Sequence, residues 1–220
     1  MDRPRIALVL GGGAARGLAH VGALDVLERE GVEIDFLAGA SMGGLLGALY
    51  ATGLHADQIQ DVARGFRFPS WFVPGGLVEW VRIFPTAGSA LAHARFETLP
   101  HRLAVVATDA ESGRPVVLHT GPVLPAVRAT CAVPAVLPPE RIEGRWLVDG
   151  GLVSLLPVDL ASLADPDVVV AVSVHGRRER PMPVLSRAWA EAGWRIGRLG
   201  RAYYFCSHAC RDAFLRARGS

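Results

Sequence analysis

The sequence predicts an α/β fold built on a mostly parallel central sheet, and three observations carry that expectation. Arg5 to Leu10 alternates little and is rich in Ile, Leu and Val, as a strand buried on both faces should be. Ile34 to Ala38 is a second short apolar run, and between the two lies a helical pattern of the length a right-handed crossover between parallel neighbours requires. Both runs end in glycine-rich turns, and the second turn holds a serine.

Taken in order, the first strand stops at Gly11-Gly12-Gly13. Ala14 to Glu30 places Leu18, Val21, Ala23, Leu24 and Leu27 at mixed three- and four-residue spacings, with Gly31 positioned to close the helix. The glycine loop between strand and helix can be read three ways. A phosphate-binding loop requires lysine and a hydroxyl where Leu18 and Ala19 stand, and a dinucleotide fingerprint starting at Gly11 requires glycine where Arg16 stands. What remains is a loop of backbone N–H groups aimed at an oxyanion.

Gly39-Ala40-Ser41-Met42-Gly43 follows the second strand and leads into an apolar helix over Gly44 to Thr52. A serine on so tight a turn needs small neighbours two residues away, which Gly39 and Gly43 supply. The unpaired N–H groups at the start of the helix then lie beside the serine oxygen. Ser41 is the candidate nucleophile; a serine that merely caps the helix would give a similar pattern.

Ala56 to Arg64 reads as a short helix. Gly65 to Pro85 then carries Phe66, Phe68, Trp71, Phe72, Trp80 and Phe84 among three prolines, either a satellite core under a long loop or a lid and acyl-chain wall. Leu103 to Thr108 and Pro115 to His119 are strands joined by a turn at 111–113, and Gly121 to Cys131 is a helix stopped by Pro134. Arg141 to Val148 is a hairpin turning at Glu143-Gly144 that delivers Asp149 to a loop before Gly150 and Gly151. An aspartate there can cap a turn or act as a base. Val168 to Val174 is a last buried strand.

At 220 residues and 50% hydrophobic content the chain supports one main core. Its net charge of +2 hides an asymmetry, because ten arginines follow position 176 against only Glu179, Glu191 and Asp212. No apolar run reaches the length of a membrane span, and three cysteines do not make a disulfide framework. A cytoplasmic protein is expected, with no nucleic-acid partner.

Gly11 to His20 with Gly39 to Gly43 resembles the start of a bacterial patatin-like phospholipase domain. Phe96-Glu97-Thr98-Leu99-Pro100 running into Leu103 to Asp109, Val127 to Pro134, and Leu147-Val148-Asp149-Gly150-Gly151 are similar to later motifs of that family in the same order, so that the likeness covers residues 5–174. It departs at Ser154 and Leu155, where the family commonly carries asparagines ahead of the proline, here Pro157. The resemblance implies a three-layer sandwich and a serine acyl hydrolase cleaving phospholipid or lysophospholipid esters without a cofactor. In that enzyme Asp149 takes the proton of Ser41 directly, Gly11, Gly12, Gly13 and Met42 furnish the oxyanion hole, and Arg16 with Gly17 orders the loop.

Two alternatives stand beside it. One is an α/β-hydrolase with a Ser-Asp-His triad, for which His175 is the well-placed histidine, and the other is an inactive domain that only binds. Residues 1–175 are expected to form the hydrolase domain and 176–220 an arginine-rich tail. Within the tail, Tyr203 to Phe214 resembles half of a YHS metal-binding module, with Cys206, His208 and Cys210 as weak ligand candidates; the alternative is a basic amphipathic helix. Peripheral membrane contact is expected through the aromatic stretch 66–84 and the tail.

Overall fold

The computed structural model describes residues 3–66, 80–175 and 201–205. Its strands are β1 (Ile6–Leu10), β2 (Phe36–Ala40), β3 (Arg102–Asp109), β4 (Pro115–Leu118), β5 (Glu140–Ile142), β6 (Arg145–Asp149), β7 (Val168–Val172) and β8 (Arg201–Phe205). They form one sheet in the order β5-β6-β3-β2-β1-β7-β8, with β4 also on β3. The five strands from β3 to β8 are parallel, and β4, β5 and β6 add an antiparallel corner. The expected α/β sandwich with a mostly parallel sheet is therefore present.

Both faces of the sheet are covered, as its unbroken apolar strands require. Leu8, Leu10, Leu37, Leu103 and Val105 point into the larger core, which they share with α1 (Ala19–Arg29), α2 (Met42–Ala51), α3 (Ala56–Arg64), α5 (Pro85–Leu91) and α6 (Val123–Thr130). The alternate residues Ala7, Val9, Ala38, Ala40, Ala104 and Val106 face a thinner layer, in which the 3-10 turns of Val158–Ala164 contribute Leu160 and Ala161. Small residues dominate this second face because its cover lies close.

Every residue of α2 is buried, so this helix runs through the core rather than along its surface, which explains its lack of a polar stripe. At the aromatic stretch, Trp80 of α4 (Trp80–Ile83) and Phe84 are buried, with ring centroids 5.0 Å apart, and Phe66 meets Phe84 edge-on at 5.0 Å. Trp80 and Phe84 belong to the larger core, and the half-buried Phe66 packs against it. Phe68, Trp71 and Phe72 lie outside the described residues.

The tail is a strand at its one described segment, where a helix was the alternative to a metal-binding half-module. Residues 201–205 form β8, paired in parallel with β7 from Val168↔Arg201 to Val172↔Phe205. Three residues of the segment likened to a YHS module lie in this strand; Cys206, His208 and Cys210 lie outside the described residues. Among the described residues no helix is long and apolar enough to cross a membrane.

Candidate active site

Parallel strands present their carboxyl ends on one edge, and there the loops after β1 and β2 open side by side. β2 ends at Ala40, α2 begins at Met42, and Ser41 alone makes the turn, with φ 52° and ψ −128°. That conformation is strained for any side chain and costs about 1–3 kcal/mol, so the surrounding structure must hold it. The two glycines serve close approach. A Cβ on Gly39 would lie 2.7 Å from Gly43 O and from Gly44 N, and one on Gly43 would strike the carbonyl oxygen of Leu10.

Ser41 Oγ does not cap α2. It donates instead to Asp149 Oδ2 at 2.6 Å, joining two side chains 108 residues apart, and both residues are buried, at 7% and 6% exposure. The serine is therefore not a side-chain cap of the helix. The aspartate does cap its turn, because Oδ1 accepts the Gly151 N–H at 2.7 Å, while Oδ2 remains directed at the serine. Burial raises the Asp149 pKa above the ordinary aspartate value, against the opposing pull of the bonds from Ser41 and Gly151. The desolvation that a carboxylate base needs is thus supplied by protein already in place. Gly150 lies so close to β3 that a Cβ would strike Val106 O.

The oxyanion loop differs from expectation at two of four donors. Gly11 N–H continues the ladder by donating to Val172 O at 3.0 Å, and Gly12 N–H donates to Leu155 O at 2.7 Å. Both are spent on holding the loop. Gly13 and Met42 keep N–H groups without an acceptor among the described residues. The loop does lie against the nucleophile, since a Cβ on Gly12 would stand 3.2 Å from Ser41 Cβ and one on Gly17 would run into the Met42 side chain.

Arg16 does not order this loop through its side chain, which is exposed and has no partner among the described residues; its backbone N–H donates to Gly13 O at 3.1 Å. The loop is held instead by His20, fully buried on α1, whose Nε2 donates to Gly11 O at 2.7 Å. Burial lowers the His20 pKa and keeps the ring neutral. Two threonines, like His20, lie within the family-like segments but were given no role there. Thr130 Oγ1 accepts the Ser41 N–H at 2.9 Å, and Thr108 Oγ1 donates to Asp149 O at 2.8 Å. Only the apolar company each keeps signalled that they would be buried.

His175 stands beyond β7, beside Gly13, with its ring Cε1 3.6 Å from where a Gly13 Cβ would be. The serine oxygen is bonded directly to the Asp149 carboxylate, with no histidine between them. Among the described residues no group of three His, Cys, Asp or Glu side chains is arranged to hold a metal ion.

Comparison with known proteins places this geometry in context. The family described as patatin-like phospholipase matches residues 8–162. An NTE family protein of Mycobacterium tuberculosis is 33% identical over 186 residues, which cover 81% of this chain and 51% of the relative. Lysophospholipase nte1 of Aspergillus fumigatus is 32% identical over 181 residues, 77% of this chain and 12% of that protein. This chain thus spans about half the length of the mycobacterial relative and far less of the fungal one. Among solved structures, VipD from Legionella pneumophila aligns with 87% of this chain and 53% of its own, at 14% identity and a TM-score of 0.48. The family match stops before residues 203–214, and their likeness to a YHS module gains no support.

Proposed function

Because the chain belongs to the patatin-like phospholipase family, we propose that it is a serine acyl hydrolase that cleaves carboxyl esters of phospholipids or lysophospholipids through Ser41 and Asp149. The observation that carries this reading is the 2.6 Å bond from Ser41 Oγ to Asp149 Oδ2 in a buried site. The name of the fungal relative favours lysophospholipids as the first substrates to try.

The chemistry follows from the placement of atoms. Asp149 Oδ2 takes the Ser41 proton as Oγ attacks the ester carbonyl, and the carbonyl oxygen becomes an oxyanion. The N–H groups of Gly13 and Met42 are the donors left to receive it, and each such donor is worth on the order of a hundredfold in rate. Collapse expels the alcohol, which takes the proton back from Asp149 and leaves an acyl-serine. Water then gives its proton to Asp149 as it attacks, and the fatty acid departs as Ser41 recovers its hydrogen. One carboxyl group serves both half-reactions, so no second titratable group is needed.

The hydrolase domain in this proposal comprises residues 1–175, extended at the sheet edge by β8, and the arginine-rich remainder of 176–220 brings it to a lipid surface from the cytoplasm. The test is hydrolysis of short and long p-nitrophenyl esters and of a lysophospholipid, with chelator and without calcium, by the parent, Ser41→Ala and Asp149→Asn. Turnover by the parent alone, with the long ester preferred, supports the proposal. Parent and variants equally inactive on all three substrates would leave a binding domain.

A further inference from the structure

Ser41 and Asp149 belong to strands that do not touch. β3 lies between β2 and β6, and the register runs Ala40↔Val106 on one side of it and Ala107↔Asp149 on the other. Strands two places apart are separated by about 9–10 Å, so sheet pairing alone does not fix a hydrogen bond between their side chains. Something else must touch both residues. One turn does: Thr130 Oγ1 accepts the Ser41 N–H at 2.9 Å, Cys131 Sγ donates to Ser41 O at 3.3 Å, and Ala132 O accepts the Asp149 N–H at 2.9 Å.

We propose that Thr130-Cys131-Ala132, the turn ending α6, is the positioning element that sets the separation of nucleophile and base, with Thr130 as its main residue. The proposal rests on the Ser41–Asp149 reading above. The three consecutive residues hold the N–H and the carbonyl of the strained serine and the N–H of the aspartate. Thr130 is itself fixed at its other end, because its hydroxyl donates to Val106 O of β3 at 2.5 Å. A single oxygen therefore links the intervening strand to the nucleophile. The helix carrying the turn is tied to the hairpin carrying Asp149 by Arg128 Nε and Glu140 Oε2 at 2.9 Å. All three turn residues are buried, at 3% exposure or less, so no solvent molecule substitutes for these contacts.

Thr130 touches no reacting atom and acts through the backbone of Ser41. Replacing its hydroxyl with a methyl group leaves Ser41 N–H unpaired and frees the elbow to relax from its φ of 52°. Misplacement of a reacting group by about 1 Å costs on the order of a hundredfold in rate.

The experiment compares the parent with Thr130→Val, Thr130→Ser and Thr130→Cys, reading kcat and KM on a p-nitrophenyl ester and the hydrogen-exchange protection of the Ser41 amide by NMR. Thr130→Val is expected to lose about a hundredfold in kcat with KM within about twofold, and Thr130→Ser to return kcat to within about threefold of the parent. Ser41 amide protection falls in the valine variant and is kept in the serine one. Should valine prevent folding, Thr130→Cys carries the test, since a thiol is a weak donor and acceptor: about a tenfold loss in kcat supports the role. A folded valine or cysteine variant with parental kcat and parental Ser41 protection overturns the proposal. If the parent hydrolyses no ester, the acyl hydrolase reading fails on its own, and the exchange data alone decide whether Thr130 holds Ser41.

Discussion

Ser41 Oγ lies 2.6 Å from Asp149 Oδ2, a direct bond between a hydroxyl and a buried carboxyl group with no imidazole between them. Ser41→Ala removes the atom that attacks, and Asp149→Asn keeps the shape while removing the base. Each is expected to lower kcat by about a thousandfold or more, and the double variant to be little worse than either single one, because the two act as a unit. Steady-state ester hydrolysis by the three variants measures this; additive losses would separate the two roles.

The acid limb of the pH profile belongs to Asp149. Burial lifts its pKa above that of an ordinary aspartate, so the base form is lost at a higher pH than in a free side chain. Activity should fall on acidification with an apparent pKa above the usual aspartate value, and an invariant kcat through the acid range would contradict the assignment.

The same shift has a consequence for stability. A carboxyl group whose pKa is higher in the folded than in the unfolded chain binds more protons when folded, in the window between the two values. Stability therefore falls as pH rises through that window, and the loss persists above it. Asp149→Asn removes the cost of the buried charge, and thermal melts should give the variant the higher Tm at pH 7, with the difference shrinking as pH falls through that window and gone below the pKa of a free aspartate.

His175 neighbours the glycine loop at Gly13, and the dyad leaves it no proton to carry. His175→Ala is expected to keep kcat within about tenfold of the parent, far from the loss at Ser41. A His175→Ala variant as dead as Ser41→Ala would restore the triad.

Glycines separate into those that matter and those that do not. Gly43→Ala forces a methyl group onto the backbone oxygens of Leu10 and Gly11, which cannot yield as a side chain can, and should cost about 3 kcal/mol or more with loss of activity. Gly22→Ala, on the exposed face of α1 with nothing within 4 Å of the new methyl, should stabilise by about 0.5–1 kcal/mol and leave kcat unchanged. Chemical denaturation of both variants tests the pair.

The parts legible from sequence are those where local chemistry allows one solution. Gly39 reports a close approach within its own turn, Gly43 one to the end of β1, and β1 and β2 announce double-sided burial by their composition. The hairpin and two glycines placed Asp149 in a turn but left it as cap or base, and only its resemblance to the family motif pointed to the base. Thr130 lies in the family-like segment Val127 to Pro134, but its contact was not legible, since its partner is 89 residues away and a threonine at the end of a helix does not announce what it will meet. The loss of Gly12 as an oxyanion donor was equally hidden, because it depends on the path of the chain at Leu155, which no periodicity specifies. β8 joins the sheet from a segment whose arginines and cysteines suggested something else.

The positive φ of Ser41 sets stability and activity against each other at one position. Glycine adopts that conformation freely, so the sturdier form of this fold carries glycine at 41 and catalyses nothing. Directed evolution toward heat resistance alone should find this substitution early, and a screen that scores folding without scoring activity would enrich for dead protein.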